Sequence, residues 1–524
     1  MTGSMTLDEV LAQDFRTLPE LIRMHAAQRP QHIALRQDAH SLDYRALDEL
    51  ADRIAASLQR DGVQPKRAIA ICAGTSIEYA AVFLGALRAG VAVAPLAPSS
   101  TAASIATMVE DAGATLLFVD ASVAKALEPV RDRIAADWVA LDDSSTGKSF
   151  QKWLVAAGTV PAAVVAEPDA PFNLIYSSGT TGTPKGIVQS NMMRWQQWQR
   201  AFAYDYKPDS VTIVSTPLYS NTTLVSFLPT LAVGGVVVLM AKFDATRFLE
   251  LTQKYRATTA MLVPVQYSRI MALPEFDRYD LTSFRAKFCT SAPFAATLKA
   301  DILKRWPGRL IEYYGMTEGG GTCVLEATLH PDKLHTVGCP APGHDIRLID
   351  EQGIELPPGS TGEVVGHSEG IMTGYHNQPA RTAEAEWVDP AGRRFIRTGD
   401  IGRFDEDGFL ILMDRKKDMI ISGGFNVYPS DLEAVLRGHA DVAEAAVVGV
   451  PSERWGETPV AFVVAKRQDP QLSTTLLEWT NSQLGKTQRL AAIELVESLP
   501  RSAIGKVLKR ELRDAYKAKA AALS

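Results

Sequence analysis

"FNLIYSSGTTGTPKG", residues 172–186, opens as an apolar, strand-like run and then loses nearly all apolar character. From Ser177 onward it holds three glycines, five serine or threonine hydroxyls, Pro184 and Lys185. Glycines let backbone N–H groups converge, hydroxyls add donors, and a lysine adds charge. Such a loop suits an oxyanion, a nucleotide phosphate above all. It does not meet the P-loop pattern GxxxxGK[ST]. Pro184 stands before the lysine where that pattern needs glycine, and Gly186 stands where a magnesium-binding hydroxyl belongs. A flexible linker is the bland alternative, but linkers rarely set a lysine at the end of a strand–turn unit.

The chain before this loop alternates. "HIALRQ" (32–37), "RAIAIC" (67–72) and "VAVAPL" (91–96) have the texture of strands. "YRALDELADRIAASLQRDG" (44–62) and "SIEYAAVFLGALRAG" (76–90) carry apolar residues at helical spacing and stop at a glycine. This βαβ rhythm predicts an α/β domain on a largely parallel sheet. "DDSSTGKS" (142–149) reads as a surface loop, and no repeat of fixed period is present. Near residue 415 the texture changes. "DRKKDMIISGGFNVYP" (414–429) packs charges, glycines and a proline together, and strand-like "DVAEAAVVGV" and "PVAFVVAK" follow with helix-like "LSTTLLEWTNSQL" and "KVLKRELRDAYKAK". The expected organisation is a large N-terminal domain, 1–414, of parallel-rich sheets covered by helices, and a small α+β C-terminal domain, 415–524.

Bulk properties exclude several classes. Of 524 residues, 46% are hydrophobic and 22% charged, as in ordinary globular proteins. A net charge of −6 is too mild and of the wrong sign for a nucleic-acid surface. No apolar run approaches the roughly 18 residues of a membrane span. The N-terminus, "MTGSMTLDEVLAQDF", has early acids and no apolar core, unlike a secretory signal. Four widely spaced cysteines without a CxxC argue against a disulfide framework or a zinc site. A cytoplasmic protein is expected.

Four further segments carry chemistry. "YYGMTE" (313–318) follows strand-like "RLIEY" and offers a flat ring, a turn glycine, a hydroxyl and a carboxylate. Hard oxygens of this kind suit Mg²⁺ shared with phosphates. In "RTGDIGRFDEDGFL" (397–410), Asp400 is a carboxylate able to accept from two ribose hydroxyls, or else a turn aspartate. "LPRSAIGKVLKREL" (499–512) places Lys506 after Gly505 at the start of a basic helix. "SERWGETP" (452–459) contains Trp455, whose default place is a core.

With these segments, in this order, nearly the whole chain resembles the adenylate-forming superfamily of acyl- and aryl-CoA synthetases, nonribosomal adenylation domains and luciferases. The resemblance implies that Ser177, Ser178, Gly179, Thr180, Thr181, Gly182 and Lys185 hold phosphates. It implies that Tyr314 stacks on adenine, Thr317 meets the α-phosphate and Glu318 holds Mg²⁺. Asp400 would bind ribose with help from Arg415, and Lys506 would be the catalytic lysine. Lys417 would be the hinge of a mobile C-terminal domain, and Gly423 and Gly424 would face the CoA thiol. In some CoA-forming relatives an aromatic at the position of Trp455 lies near the CoA nucleotide; here that reading stands level with a core tryptophan.

The chain departs from the family pattern at two places. In "TPLYSNTT" (216–223), Ser220 stands where many members have histidine, which weakens an aryl assignment. In "FCTSAPF" (288–294), Thr290 and Ser291 replace glycines and should narrow the acid pocket while offering hydroxyls. A modest pocket lined by Tyr219, Ser220, Thr222, Thr290 and Ser291 suits a short, medium or small aromatic acid. No aspartate lies in 219–223, where amino-acid-activating relatives hold the substrate amine.

The expected activity is an acid–thiol ligase: a carboxylic acid is activated by ATP as acyl-adenylate, then passed to coenzyme A. The alternatives are an adenylating enzyme that loads a free-standing carrier protein, and a non-catalytic nucleotide-binding homologue, against which Glu318 and Lys506 speak. Expected partners are the acid, ATP and CoA, with a second copy of the chain a further candidate and no nucleic acid.

Overall fold

The computed structural model describes residues 9–10, 12–142, 144–177, 184–415, 418–422, 425–452, 455–485, 488–502 and 505–523. The βαβ rhythm is realised as helices capped by their own sequence. The helix Tyr44–Arg60 is capped by the Asp43 carboxylate accepting from the Ala46 N–H, and Ile77–Arg88 by Ser76 accepting from the Tyr79 N–H. These helices alternate with the strands Ile33–Gln37, Ala68–Cys72 and Ala92–Pro95, close to their sequence-predicted bounds.

By compactness the chain divides into two units. One comprises Met1–Leu334, Pro340–Asp345 and Gly366–Ile396; the other comprises His335–Cys339, Ile346–Val365 and Arg397–Ser524. Lys417, the expected hinge, lies outside the described residues.

The first unit holds two α/β sheets. In one, Ile33–Gln37, Val236–Leu239, Val211–Val214, Thr259–Leu262, Ala286–Cys289 and Arg309–Tyr314 run parallel as neighbours in that order. In the other, Pro171–Ser177, Ala92–Pro95, Ala68–Cys72, Leu116–Val119 and Asp137–Ala140 run parallel, and an antiparallel hairpin closes one edge. Buried Val, Ile, Leu and Ala fill these strands on both faces, as parallel sheets require. The second unit includes a smaller sheet, Phe425–Val427, Ile420–Ser422, Gly456–Ala465 and Val442–Ser452, with Ala492–Leu495 parallel to Gly456–Ala465. Its two apolar clusters draw on the helices Pro429–Arg437, Leu472–Gln483 and Lys509–Leu523. The architecture is α/β, with a large N-terminal region of sheets and helices and a smaller C-terminal domain. Among the described residues, no helix is long and apolar enough to cross a membrane.

Helix contact in the first unit depends on one small residue. Gly85 sits inside Ile77–Arg88, and a Cβ there would lie 2.5 Å from the Ile54 side chain on Tyr44–Arg60. Intrinsic propensity favours alanine over glycine in a helix by about 1 kcal/mol. Overpacking a close helix pair costs about 1–3 kcal/mol. Packing should win: Gly85→Ala is expected to lower the urea midpoint, and an unchanged or higher midpoint would show that the helices separate freely.

Candidate functional site

The glycine-rich segment joins two antiparallel strands, Pro171–Ser177 and Lys185–Ser190, with Tyr176 opposite Gly186 and Ser177 opposite Lys185. A P-loop would lead from a strand into a helix; here a strand follows. Ser178, Gly179, Thr180, Thr181 and Gly182 lie outside the described residues. Gly186 sits in a tight place, because a Cβ there would lie 3.1 Å from the Tyr176 ring and 3.2 Å from the His376 Cβ. The Tyr176 hydroxyl donates to Asp111 at 2.6 Å, which fixes that ring.

Lys185 opens the second strand, and its ammonium stands 4.8 Å from the centre of the Tyr375 ring. The Tyr375 hydroxyl donates to Glu318 Oε1 at 2.9 Å. Tyr375 belongs to the short strand Gly374–Tyr375, which pairs antiparallel with Lys185–Ser190 and places it opposite Ile187. Burial and the Glu318 carboxylate push the Tyr375 hydroxyl well above the usual phenol range, so it remains a donor. One ring thus joins the lysine of the glycine-rich hairpin to the buried carboxylate of "YYGMTE".

The loop bearing Thr317 and Glu318 leaves the strand Arg309–Tyr314, which ends at Tyr314. The Thr317 carbonyl accepts from Gln189 Nε2 at 2.6 Å, and the Glu318 carbonyl accepts from the Met372 N–H at 2.8 Å. Gly319 has φ +76°, and a Cβ on it would lie 2.0 Å from the Gly370 carbonyl oxygen, so only glycine fits. Oxygen donors of the Glu318 kind fit Mg²⁺, with Tyr375 orienting one carboxylate oxygen. Sequence reasoning missed Tyr375 and Gln189. The pairing of 374–375 with 187–188 is long-range, and no local period marks it.

On the expected acid side, Ser220 precedes the helix Asn221–Ala232 and is buried with Thr222. Tyr219 is half-buried, and burial raises its hydroxyl above the ordinary phenol value. Thr290 donates its hydroxyl to the Tyr313 carbonyl at 2.9 Å, so that hydroxyl is engaged by backbone. Thr222 Oγ1 and Ser291 Oγ meet at 2.5 Å, joining the helix Asn221–Ala232 to the segment after Ala286–Cys289. Ser291 adopts φ +81°, a conformation that suits glycine and strains serine.

In the second unit, Asp400 and Arg415 face each other on antiparallel strands, with Arg415 Nε 3.1 Å from Asp400 Oδ1. Asp400 is buried, and its N–H donates to Thr398 Oγ1 at 3.0 Å. Lys506 lies in an exposed turn after Gly505 (φ +79°), and its carbonyl accepts from the Ser502 N–H at 2.8 Å. The terminal helix begins only at Lys509, so Lys506 precedes it rather than opening it, with its carbonyl already engaged by the Ser502 N–H. Trp455 is 47% exposed, which removes the core-tryptophan reading. Gly423 and Gly424 lie outside the described residues.

The fold and this ordering of groups agree with the family comparisons. Residues 22–376 match the AMP-binding enzyme family and 431–506 its C-terminal domain. The chain is 32% identical to the fatty acid–[acyl-carrier-protein] ligase ScoC of Streptomyces coeruleorubidus, over 97% of this chain and 98% of that protein. It is 31% identical to a feruloyl-CoA synthase of Amycolatopsis, over 93% and 96%. The crystal structure of ATP-bound MatB from Rhodopseudomonas palustris superposes with a TM-score of 0.85 at 28% identity, covering 96% of this chain and 99% of that one. The chain belongs to the AMP-binding enzyme family, within the adenylate-forming superfamily, and is an acid-adenylating ligase.

The strained Ser291 gives a direct check. Ser291→Gly removes the side chain at a left-handed φ and the hydroxyl contact with Thr222. Relief of strain of about 1 kcal/mol opposes the greater unfolded-state freedom of glycine. The urea midpoint is expected to stay or rise. A lower midpoint would show that the hydroxyl pair outweighs the strain.

Proposed function

We propose that the protein is an AMP-forming acid–CoA ligase for a short, medium or small aromatic carboxylic acid. The observation that carries this reading is the line Lys185–Tyr375–Glu318, which gathers a phosphate-hairpin cation and a buried carboxylate about one ring. In the first step the acid's carboxylate oxygen attacks the α-phosphorus of ATP. A P–O bond forms to give acyl-adenylate, the bond to the β-phosphate bridging oxygen breaks, and pyrophosphate leaves. Residues 177–185 hold the phosphates, Tyr314 and Thr317 hold the adenylate, and Asp400 with Arg415 holds ribose. Mg²⁺, when bound, offsets phosphate charge, and Glu318 would hold it. Lys506 steadies the charge building on the reacting oxygens. Positioning and electrostatics supply the catalysis, and no covalent enzyme intermediate is required.

In the second step the CoA thiolate attacks the acyl carbon and AMP departs, with Gly423, Gly424 and Trp455 on the CoA side and Lys417 as the hinge between steps. The likeness to a feruloyl-CoA synthase supports CoA as acceptor. The likeness to ScoC, named for an acyl-carrier protein, favours a carrier protein as the second reading. On the acid side, the Thr222–Ser291 hydroxyl contact supports a pocket of limited depth.

Pyrophosphate release is measured from MgATP against acids from acetate to C12 and aromatic acids, each alone, with CoA or with a carrier protein. Turnover that requires CoA with one acid class is the expected result. Release that responds only to carrier protein would move the assignment to the second reading, and optimal activity at C16 or longer would overturn the pocket size. Lys506→Ala should lose about 10²-fold or more in adenylation. It should keep most of its thioester formation from pre-made acyl-adenylate, and equal loss in both assays would remove Lys506 from its step-specific role.

A further inference from the structure

Arg194 is wholly buried in the helix Asn191–Phe202, directly after the phosphate hairpin. Its Nε and Nη2 donate to Asn173 Oδ1 at 3.1 and 2.9 Å, Nη1 donates to Gln197 Oε1 at 2.8 Å, and Nη2 also reaches Asn221 Oδ1 at 2.9 Å and Gln189 Oε1. The Phe172 ring lies 5.6 Å from the guanidinium carbon. Every polar partner is a neutral amide. Among the described residues no carboxylate pairs with Arg194. Burial alone pulls this guanidinium down to about 9.

A buried charge without a counter-charge is costly, several kcal/mol even after relaxation. Folded chains therefore pair such charges or use them. Three of these amides lie on elements that carry expected site residues. Asn173 and Gln189 are on the two hairpin strands, and Asn221 opens the helix that follows Ser220. Gln189 accepts from Asn173 and Arg194 through its oxygen and donates through its nitrogen to the Thr317 carbonyl. Arg194 therefore stands behind the hairpin, the Thr317–Glu318 loop and the start of the acid-side helix at once.

We infer that Arg194 is a positioning residue whose uncompensated charge, buried behind the phosphate hairpin, is balanced only by the anions that bind there, the polyphosphate of ATP and the carboxylate of the acid. This rests on the adenylating reading of the site and adds a residue to it. The charge acts through a low-dielectric interior, where it is screened little. The amide shell keeps the guanidinium fixed and leaves its charge unneutralised, the condition for preorganised electrostatic support.

The competing role is a purely structural tie, and Gln197→Glu separates the two. Gln197 shares the helix of Arg194, and its oxygen meets Nη1. The substitution keeps shape and acceptor while supplying the missing counter-charge at i,i+3. A structural tie would be strengthened, with a higher Tm and wild-type adenylation. The expected result is a Tm unchanged or higher, with kcat for acid-dependent pyrophosphate release down about 10-fold or more and a smaller rise in Tm on adding MgATP. Arg194→Met should show the same loss of kcat, and if it fails to fold, Gln197→Glu alone decides. Wild-type kcat and an undiminished MgATP shift in Gln197→Glu would overturn the inference. If the wild type releases no pyrophosphate with any acid, the adenylating reading fails instead, and the MgATP shift in the two proteins still tests the charge.

Discussion

The polar line of the first unit depends on the register of the hairpin Pro171–Ser177 and Lys185–Ser190. Tyr176 opposite Gly186 and Ser177 opposite Lys185 leave Lys185 at the head of the returning strand. The next pairing, Gly374–Tyr375 against 187–188, brings the Tyr375 ring beside that lysine and its hydroxyl to Glu318. Because side chains alternate along a strand, a one-residue slip would turn Lys185 to the other face and break the line. A Cβ on Gly186 would press on the Tyr176 ring at 3.1 Å, so the glycine eases that register.

Around this hairpin the polar groups form a graded environment. Glu318 and Tyr375 are buried and joined by a hydrogen bond. Arg194 is wholly buried, and its polar partners among the described residues are amides. The Thr317–Glu318 loop is held by a side-chain amide at one carbonyl and a backbone N–H at the next. A loop fixed in this way keeps its donors and carboxylate in place before substrate arrives, which is where an adenylating enzyme without a covalent intermediate must find its rate.

The acid side shows how a departure from a family pattern acquires physical meaning. Where the family pattern was expected to place glycines, this chain has Thr290 and Ser291. Thr290 uses its hydroxyl on the Tyr313 carbonyl, whereas Ser291 tolerates a left-handed φ and meets Thr222. Two substitutions that look alike in the sequence therefore differ in kind, one bound to backbone and the other bridging to a neighbouring helix.

The sequence alone determined the parts that are local. Helix starts at Ser76 and Asp43, the strands of the βαβ rhythm, the hairpin's lysine and the acids of "YYGMTE" and "RTGDIG" are legible because caps, periodicity and turn residues act over a few positions. Asp400 and Arg415, which the resemblance assigned to one ribose, meet because two adjacent antiparallel strands set them opposite each other. Only the tertiary structure decided the contacts that span long loops. Tyr375 reaches Glu318 through a strand pairing more distant than any local period, and Gln189 reaches Thr317 from the far side of the hairpin. Trp455 proved exposed, standing just before the strand Gly456–Ala465 rather than within it. Arg194 gave no signal at all: an arginine in a helix reads as a solvated residue, and only packing shows that it is buried with neutral partners.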